Sequence, residues 1–327
     1  MLLCATFPLI WIGGLVTTYR AGMAVPDWPN TFGHNLFLYP LESWLQVFDV
    51  LLEHSHRLIG AAVGLIAISL TIALWVSDRR PAGRWLGVAA VAGVCLQGTL
   101  GGLRVIQDEI LLADVHGCTA PLVFSLAAAM VAYTSPAWRS AGRGVTKGDR
   151  HLAALGASPP GEKGDRHLAA LGASPLLSVA PATAVLIYVQ IVLGAQLRHL
   201  TPGQAAGWFT LWMWLHLIVL GLLVLAVVWL LALTRRRFGR EPMLVRRGRL
   251  LAAVFAVQVV LGTATWVTHY GWPAWFTQSI WAIEYTVVAN GPLQALTTTA
   301  HVVVGSLTLV SAMSLSLWSR RLVSATR

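Results

Sequence analysis

Eight apolar stretches, each near the length needed to cross a bilayer, recur along this 327-residue chain, at roughly 3–20, 53–76, 85–104, 114–134, 178–197, 208–233, 250–268 and 295–318. A hydrocarbon core asks for about 20 mostly apolar residues per helix. Backbone amides inside lipid must be satisfied within their own segment, so runs of this length fold as helices. Only 11% of residues are charged and 56% are hydrophobic, against about 25% charged in a soluble domain. Such a chain cannot clothe a water-facing surface. That excludes an ordinary cytosolic globule, a disordered protein and a nucleic-acid-binding domain, despite a net charge of +10.

The basic residues orient the spans. Segments 77–84, 135–177, 234–249 and 319–327 hold 3, 6, 7 and 3 Lys/Arg, leaving Arg20, Arg57, Arg104 and Arg198 elsewhere. By the positive-inside rule those four segments face the cytoplasm, with both termini inside. The outer loops are then 21–52, 105–113, 198–207 and 269–294. Tryptophans at the ends of apolar runs suit the lipid headgroup level. The first run lacks a small-residue cleavage site and is expected to stay as a helix. Cys4, Cys95 and Cys118 show no CxxC spacing, so neither a disulfide framework nor a structural zinc site is expected.

Lys147–Pro159 recurs as Lys163–Pro175, a tandem duplication with a 16-residue period. It reads as a cytoplasmic linker that includes His151 and His167. The chain accordingly divides into an N-terminal half (1–135), the linker (136–177) and a C-terminal half (178–327), with four helices in each half. A weaker repeat places Gln97 and Gly101, Gln190 and Gly194, and Gln258 and Gly262 late in spans 3, 5 and 7. Residues four apart share a helix face. The glycines read as helix-packing positions. The glutamines are open between packing partners and contacts to a cofactor's polar edge.

Spans 2, 4, 6 and 8 carry one histidine each: His56, His116, His216 and His301. All four spans start on the outer side. The first, second and fourth of these histidines fall about three to six residues into their spans and His216 about eight, so at 1.5 Å per residue they share the outer part of the bilayer. Two imidazoles at one depth on facing helices form an axial pair for a haem iron. Two haem sites are expected, one per half. A single membrane histidine can also serve as an interhelical hydrogen bond. Glu53 stands three residues before His56 and on its face, and a carboxylate at a membrane helix is a functional candidate. The alternative is a helix-start acid meeting the macrodipole. No second-half counterpart exists, so a reacting site is expected in the first half and an electron-transfer haem in the second. Arg57, Arg104 and Arg198 lie at outer helix ends, where guanidinium forks bind carboxylates bidentately. They are candidates to clamp haem propionates, or to pair with Asp108, Glu109 or Asp114. His54 reads as interfacial, and His34, His199 and His269 as loop residues. The aromatic pieces Phe37-Leu38-Tyr39-Pro40 with Trp44, and Trp272 to Trp281, read as interfacial caps or anchors.

Gly14-Leu15-Val16-Thr17, then Ala21 to Pro29 with its Pro-Asp-Trp-Pro run, then Glu53-x-x-His56-Arg57, resemble the haem A synthase family. The resemblance covers nearly the whole chain outside the duplicated linker. It implies an all-α integral membrane fold of eight transmembrane helices in two pseudo-symmetric four-helix bundles. It implies oxidation of a ring methyl of haem O to a formyl group, giving haem A for cytochrome oxidase. Haem O as substrate would sit in the N-terminal half with His56, His116 and Glu53; haem b would sit on His216 and His301. A haem O synthase is the implied upstream partner, membrane lipid the surroundings, and the bacterial inner (cytoplasmic) membrane the location. Many bacterial members carry a cysteine pair in an outer loop; here the outer loops hold none, and Asn30 and Thr31 follow Pro29. No residue pattern identifies the electron acceptor. Two other classes stay on the page. A b-type cytochrome that only moves electrons would favour paired histidines on one helix. A transporter would favour broken helices with polar groups at mid-membrane.

Overall fold

The computed structural model describes residues 1–141, 175–199, 206–239, 241–272 and 287–324. The duplicated linker with His151 and His167, and the Trp272–Trp281 piece beyond its first residue, lie outside the described residues. The helices are α1 (Leu2–Thr18), α2 (Leu41–Leu45), α3 (Phe48–Ser77), α4 (Pro81–Gln107), α5 (Ile110–Thr134), α6 (Pro136–Ser140), α7 (Leu176–Arg198), α8 (Ala206–Arg237), α9 (Pro242–Tyr270) and α10 (Pro292–Ser324), with a 3₁₀ turn at Ala21–Met23. Among the described residues the fold is helical, save one isolated bridge between Thr31 and His34. Seven helices (α3, α4, α5, α7, α8, α9 and α10) are long and apolar enough to cross a membrane, and α1 is a shorter apolar helix. This is a multi-pass membrane protein.

Most helices extend past the apolar stretches at one or both ends. Polar residues of the first and last turns belong to the helix although hydropathy alone would trim them. Sharp turns then join neighbours. At the α3–α4 turn the Asp78 carboxylate accepts from the Arg80 backbone N–H at 3.0 Å and from Arg80 Nη2 at 2.7 Å. Pro81 opens α4, where its missing N–H costs nothing. At the α4–α5 turn Asp108 takes φ 50°, a left-handed conformation that Asp tolerates better than most residues.

In the first half α1 packs on α3, α3 on α4, α4 on α5 and α5 on α1. In the second α7 packs on α8, α8 on α9, α9 on α10 and α10 on α7. The halves meet through α10 against α1 and α5, and α5 against α7. At the linker end Trp138 of α6 lies edge-on to Trp318 at 5.1 Å, and its carbonyl accepts from Arg321 Nη2 at 3.1 Å.

The two larger apolar cores fill the linker end of each half. One joins Val63, Ala67 and Leu74 to Ala127 and Met130; the other joins Leu223, Leu230, Phe255, Leu309 and Trp318. On α3, α5, α8 and α10 these residues all follow the helix's histidine. At the opposite end, beside residues 21–52, a smaller apolar cluster of Val16, Ala21 and Leu52 lies among buried polar groups such as Glu53 and His54.

Candidate functional site

His56 lies eight residues past the start of α3, His116 six past that of α5, His216 ten past that of α8 and His301 nine past that of α10. That is deeper into each helix than the apolar stretches suggested, but the four stay within about one turn of a common level. Each ring rests on a glycine of the preceding long helix. A Cβ at Gly13 of α1 would stand 2.8 Å from His56 Cε1, at Gly101 of α4 3.2 Å from His116 Cε1, at Gly194 of α7 3.3 Å from His216 Cε1, and at Gly262 of α9 3.0 Å from His301 Cε1. Cε1 is the nearest ring atom to the glycine in every case, with Nδ1 the nearer of the two ring nitrogens. Nδ1 of His56, His216 and His301 is buried without a hydrogen-bond partner. The glycines of the glutamine repeat thus seat imidazoles, a role their sequence spacing alone does not reveal.

The His56 and His116 ring centres are 6.5 Å apart, with planes at 80°. Two metal–imidazole bonds of about 2 Å each, plus about 1 Å from each nitrogen to its ring centre, sum to about 6 Å. The pair therefore fits a metal held between two imidazoles, as in a six-coordinate haem. His216 lies within electrostatic range of His301. Among the described residues no three His, Cys, Asp or Glu gather as a compact metal cluster, which sets these pairs apart from a zinc-type site.

The Ala21–Pro29 run forms a roof over the first pair. Glu53 is 3% exposed. Its Oε2 accepts from the Val25 N–H at 2.9 Å and its Oε1 from Arg57 Nη2 at 2.6 Å. Arg57 also donates to the carbonyls of Val25 (2.8 Å), Asp27 (2.6 Å) and Asn30 (2.8 Å). Its terminal nitrogens are thus spent on the roof and on Glu53. Glu53 sits more than a turn inside α3, beyond the first N–H groups that carry the macrodipole. The Asp27 carboxylate accepts from the Phe32 and Gly33 N–H groups, both at 2.8 Å. Burial pushes that carboxyl up, but these two bonds and the Arg57 charge prevail and hold it below its ordinary value. Trp28 lies against Gly102 and Arg104 against Gly22, each so closely that no Cβ would fit.

Arg104 reaches into the electrostatic surroundings of both His56 and His116. Among the described residues it makes no hydrogen bond or ion pair, with Asp108 and Glu109 included. Arg198 donates from Nη2 to the Gly14 carbonyl and to Thr18 Oγ1, both at 2.7 Å. It thereby ties α7 to α1, and Gly14 in turn seats Thr299 of α10, whose Cγ2 would lie 2.8 Å from an added Cβ. Asp114 Oδ1 lies 3.3 Å from His199 Nδ1, an ion pair only when the imidazole is protonated. Burial, then the neighbouring Arg198 and Arg104 charges, push the His199 imidazole down to about 4.

His54 is not interfacial. It is 1% exposed, its Nδ1 meets Thr31 Oγ1 at 3.1 Å, and Tyr39 and Trp44 flank it at 5.4 and 4.9 Å. It pins the 21–52 loop to α3, while Phe37, Leu38 and Leu41 of that loop stay exposed. His34 stacks near Tyr39 at 5.6 Å. His269 lies inside α9, with Nδ1 2.9 Å from the Thr265 carbonyl. The three cysteines are free, Cys118 buried and the other two exposed.

Residues 1–280 match a family described as cytochrome oxidase assembly protein, COX15-CtaA. That stretch contains His56, His116 and His216 and stops before the helix of His301. A heme A synthase of Shouchella clausii (strain KSM-K16) is 31% identical over 112 residues. The aligned part is 33% of this chain and 35% of the relative, so the likeness spans about a third of either protein. No solved structure matches this chain. With the roof, three of the four histidines and most of the helices inside the matched region, the chain belongs to the COX15-CtaA family of cytochrome oxidase assembly proteins.

Proposed function

We propose that this protein is a haem A synthase, oxidising a ring methyl of haem O to the formyl group of haem A for cytochrome oxidase. The observation that carries the reading is the His56–His116 pair, spaced for a metal between its rings, beside a buried carboxylate that the Ala21–Pro29 roof holds in place. We read α1 as an eighth crossing. Its 17 residues rise about 25 Å, a little under the hydrocarbon thickness, and it packs on α3 and α10. The two closed rings of helices are then two pseudo-symmetric four-helix bundles, with the Lys/Arg-rich ends and both termini in the cytoplasm of a cell whose inner membrane holds them.

In this reading the N-terminal half takes haem O between His56 and His116, and the C-terminal half takes haem b between His216 and His301. Methyl to formyl removes four electrons and adds one oxygen atom, so a bound iron would supply the redox chemistry that relays those electrons to an external acceptor. The chain supplies position and proton handling. Gly13 and Gly101 seat the two rings. Glu53, one turn from His56, is the acid placed to accept or pass on a proton; a proton on Oε1 or Oε2 breaks its bond to Arg57 or to Val25. Arg57 keeps the roof closed against water. Arg104 has no ion pair within the described residues and receives a carboxylate such as a propionate. Arg198, bonded to α1, fixes the distance between the two halves. A haem O synthase upstream follows from the substrate.

The test is mass analysis of the haems that copurify with wild type and with His56→Ala and Glu53→Gln. Haem A in the wild type and its absence from both variants is expected. Haem A at normal levels in both variants defeats the assignment. Two haems of unchanged mass after turnover make the protein a b-type cytochrome instead.

A further inference from the structure

Gln97, Gln190 and Gln258 each stand four residues before the glycine that seats a histidine, yet their amides end in different places. Gln190 Nε2 donates to the His216 carbonyl at 3.0 Å. The Gln97 amide, turned so that both ends are satisfied, donates to the His116 carbonyl at 3.2 Å, accepts from the Ala120 N–H at 3.3 Å and lies 2.5 Å from Thr119 Oγ1. Gln258 makes no such backbone contact. Its Nε2 is 3.3 Å from His301 Nε2. Its Oε1 is buried without a partner. The neighbours explain the difference. Three residues after His116 stands Thr119, whose hydroxyl meets Gln97; Val219 and Val304 hold the same place after His216 and His301 and offer none, so the position after them decides. Four residues after His301 stands Gly305, where a Cβ would come within 3.1 Å of Gln258 Nε2. The missing side chain makes room for the amide to turn toward the ring.

We propose that Gln258 is a positioning residue that holds the iron-binding edge of His301 whenever that edge is not engaged by haem, and so sets how readily the second-half haem is released. The inference rests on the reading of His216 and His301 as haem ligands. An amide N–H can donate to Nε2 only when the ring proton sits on Nδ1. That is the tautomer iron coordination through Nε2 requires, so Gln258 presets the ring while competing for the same lone pair. Once the metal bond opens, the amide captures the ring and recombination is hindered. Gln97 is bound to the α5 backbone and imposes no such competition in the first half.

The experiment follows haem b transfer from the full-length, haem-loaded protein in detergent to excess apomyoglobin, by absorbance. Gln258→Leu removes the amide. Val304→Thr, nearly isosteric, offers it the alternative partner that Thr119 gives Gln97. Release is expected to slow in both, by about fivefold, the ratio for one hydrogen bond of about 1 kcal/mol. His301→Ala is measured beside them. Second-half haem retained in His301→Ala overturns the ligand reading. Haem lost from His301→Ala, with Gln258→Leu and Val304→Thr both releasing at the wild-type rate or faster, overturns the role of Gln258 alone. If Gln258→Leu carries no haem, the rate of Val304→Thr decides.

Discussion

The two histidine pairs share a base and differ in what stands around it. In both halves each imidazole lies on a glycine of the preceding long helix, with Cε1 toward it. In the first half a roof of loop backbone and one arginine holds a carboxylate beside the pair. In the second, the described surroundings hold no acid near the pair; instead a glutamine touches the ring and the hydroxyls of Thr265, Thr298 and Thr299 go without partners. The comparison teaches that the glycine seat for an imidazole is repeated helix geometry, whereas the buried carboxylate is held by one loop; in the proposed reading the first is what holds a macrocycle and the second what changes it.

The sharpest way to break this comparison is Glu53→Gln. Haem A formation is expected to fall by about 100-fold, the scale of a lost proton-transferring group, while the second-half absorption spectrum stays unchanged. A spectrum altered as much as the activity would mean that the halves are not separable. Alanine at the seating glycines comes next. Haem content per protein is expected to fall most in Gly13→Ala, then in Gly262→Ala, Gly101→Ala and Gly194→Ala, the order of their 2.8, 3.0, 3.2 and 3.3 Å clearances; equal losses would show that the rings shift freely. Arg198→Met removes the bonds from α7 to α1 and is expected to cost about 2–3 kcal/mol, read as an earlier unfolding transition in detergent. Thr119→Val combined with Ala120→Gly removes the hydroxyl and gives Gln97 the room that Gly305 gives Gln258, and is expected to speed release of the first-half haem by a few-fold, near the value of one weak hydrogen bond. The smallest effect serves as a control at the linker end. The Arg80 side chain holds the Asp78 carboxyl down at about 2, from 3.8. Its stabilisation is therefore complete above pH 3.8 and lost as the pH falls through about 2. Asp78→Asn is expected to cost about 1 kcal/mol at neutral pH, measured by thermal unfolding, and to leave both haem spectra alone.

The helices and the level of the four histidines were legible in the sequence because both follow from local rules: the run of apolar residues, and a fixed rise per residue along a helix. Glu53 beside His56 was legible for the same reason. The partners were not. Nothing local tells that Gly101 and Gly262 face a ring rather than another backbone, since the ring comes from the next helix. Arg57 reads as a cation open to a carboxylate ligand, but the Val25–Asn30 backbone folds back over it and uses its donors. His54 reads as interfacial because Thr31, Tyr39 and Trp44, which bury it, are distant in sequence and arrive only when the loop folds. Gln258 differs from Gln97 through a hydroxyl and a glycine on a facing helix, a distinction that no single-helix pattern carries.

Gly13 and Gly14 are consecutive, yet they serve opposite halves: one carries His56, the other carries Thr299 and lends its carbonyl to Arg198. Helix α1 is thus an axle common to two wheels. A rotation of a few degrees, or a slide of an ångström, moves the cradle of His56 and the bracket of Thr299 and Arg198 in the same stroke, so α1 couples one half mechanically to the other.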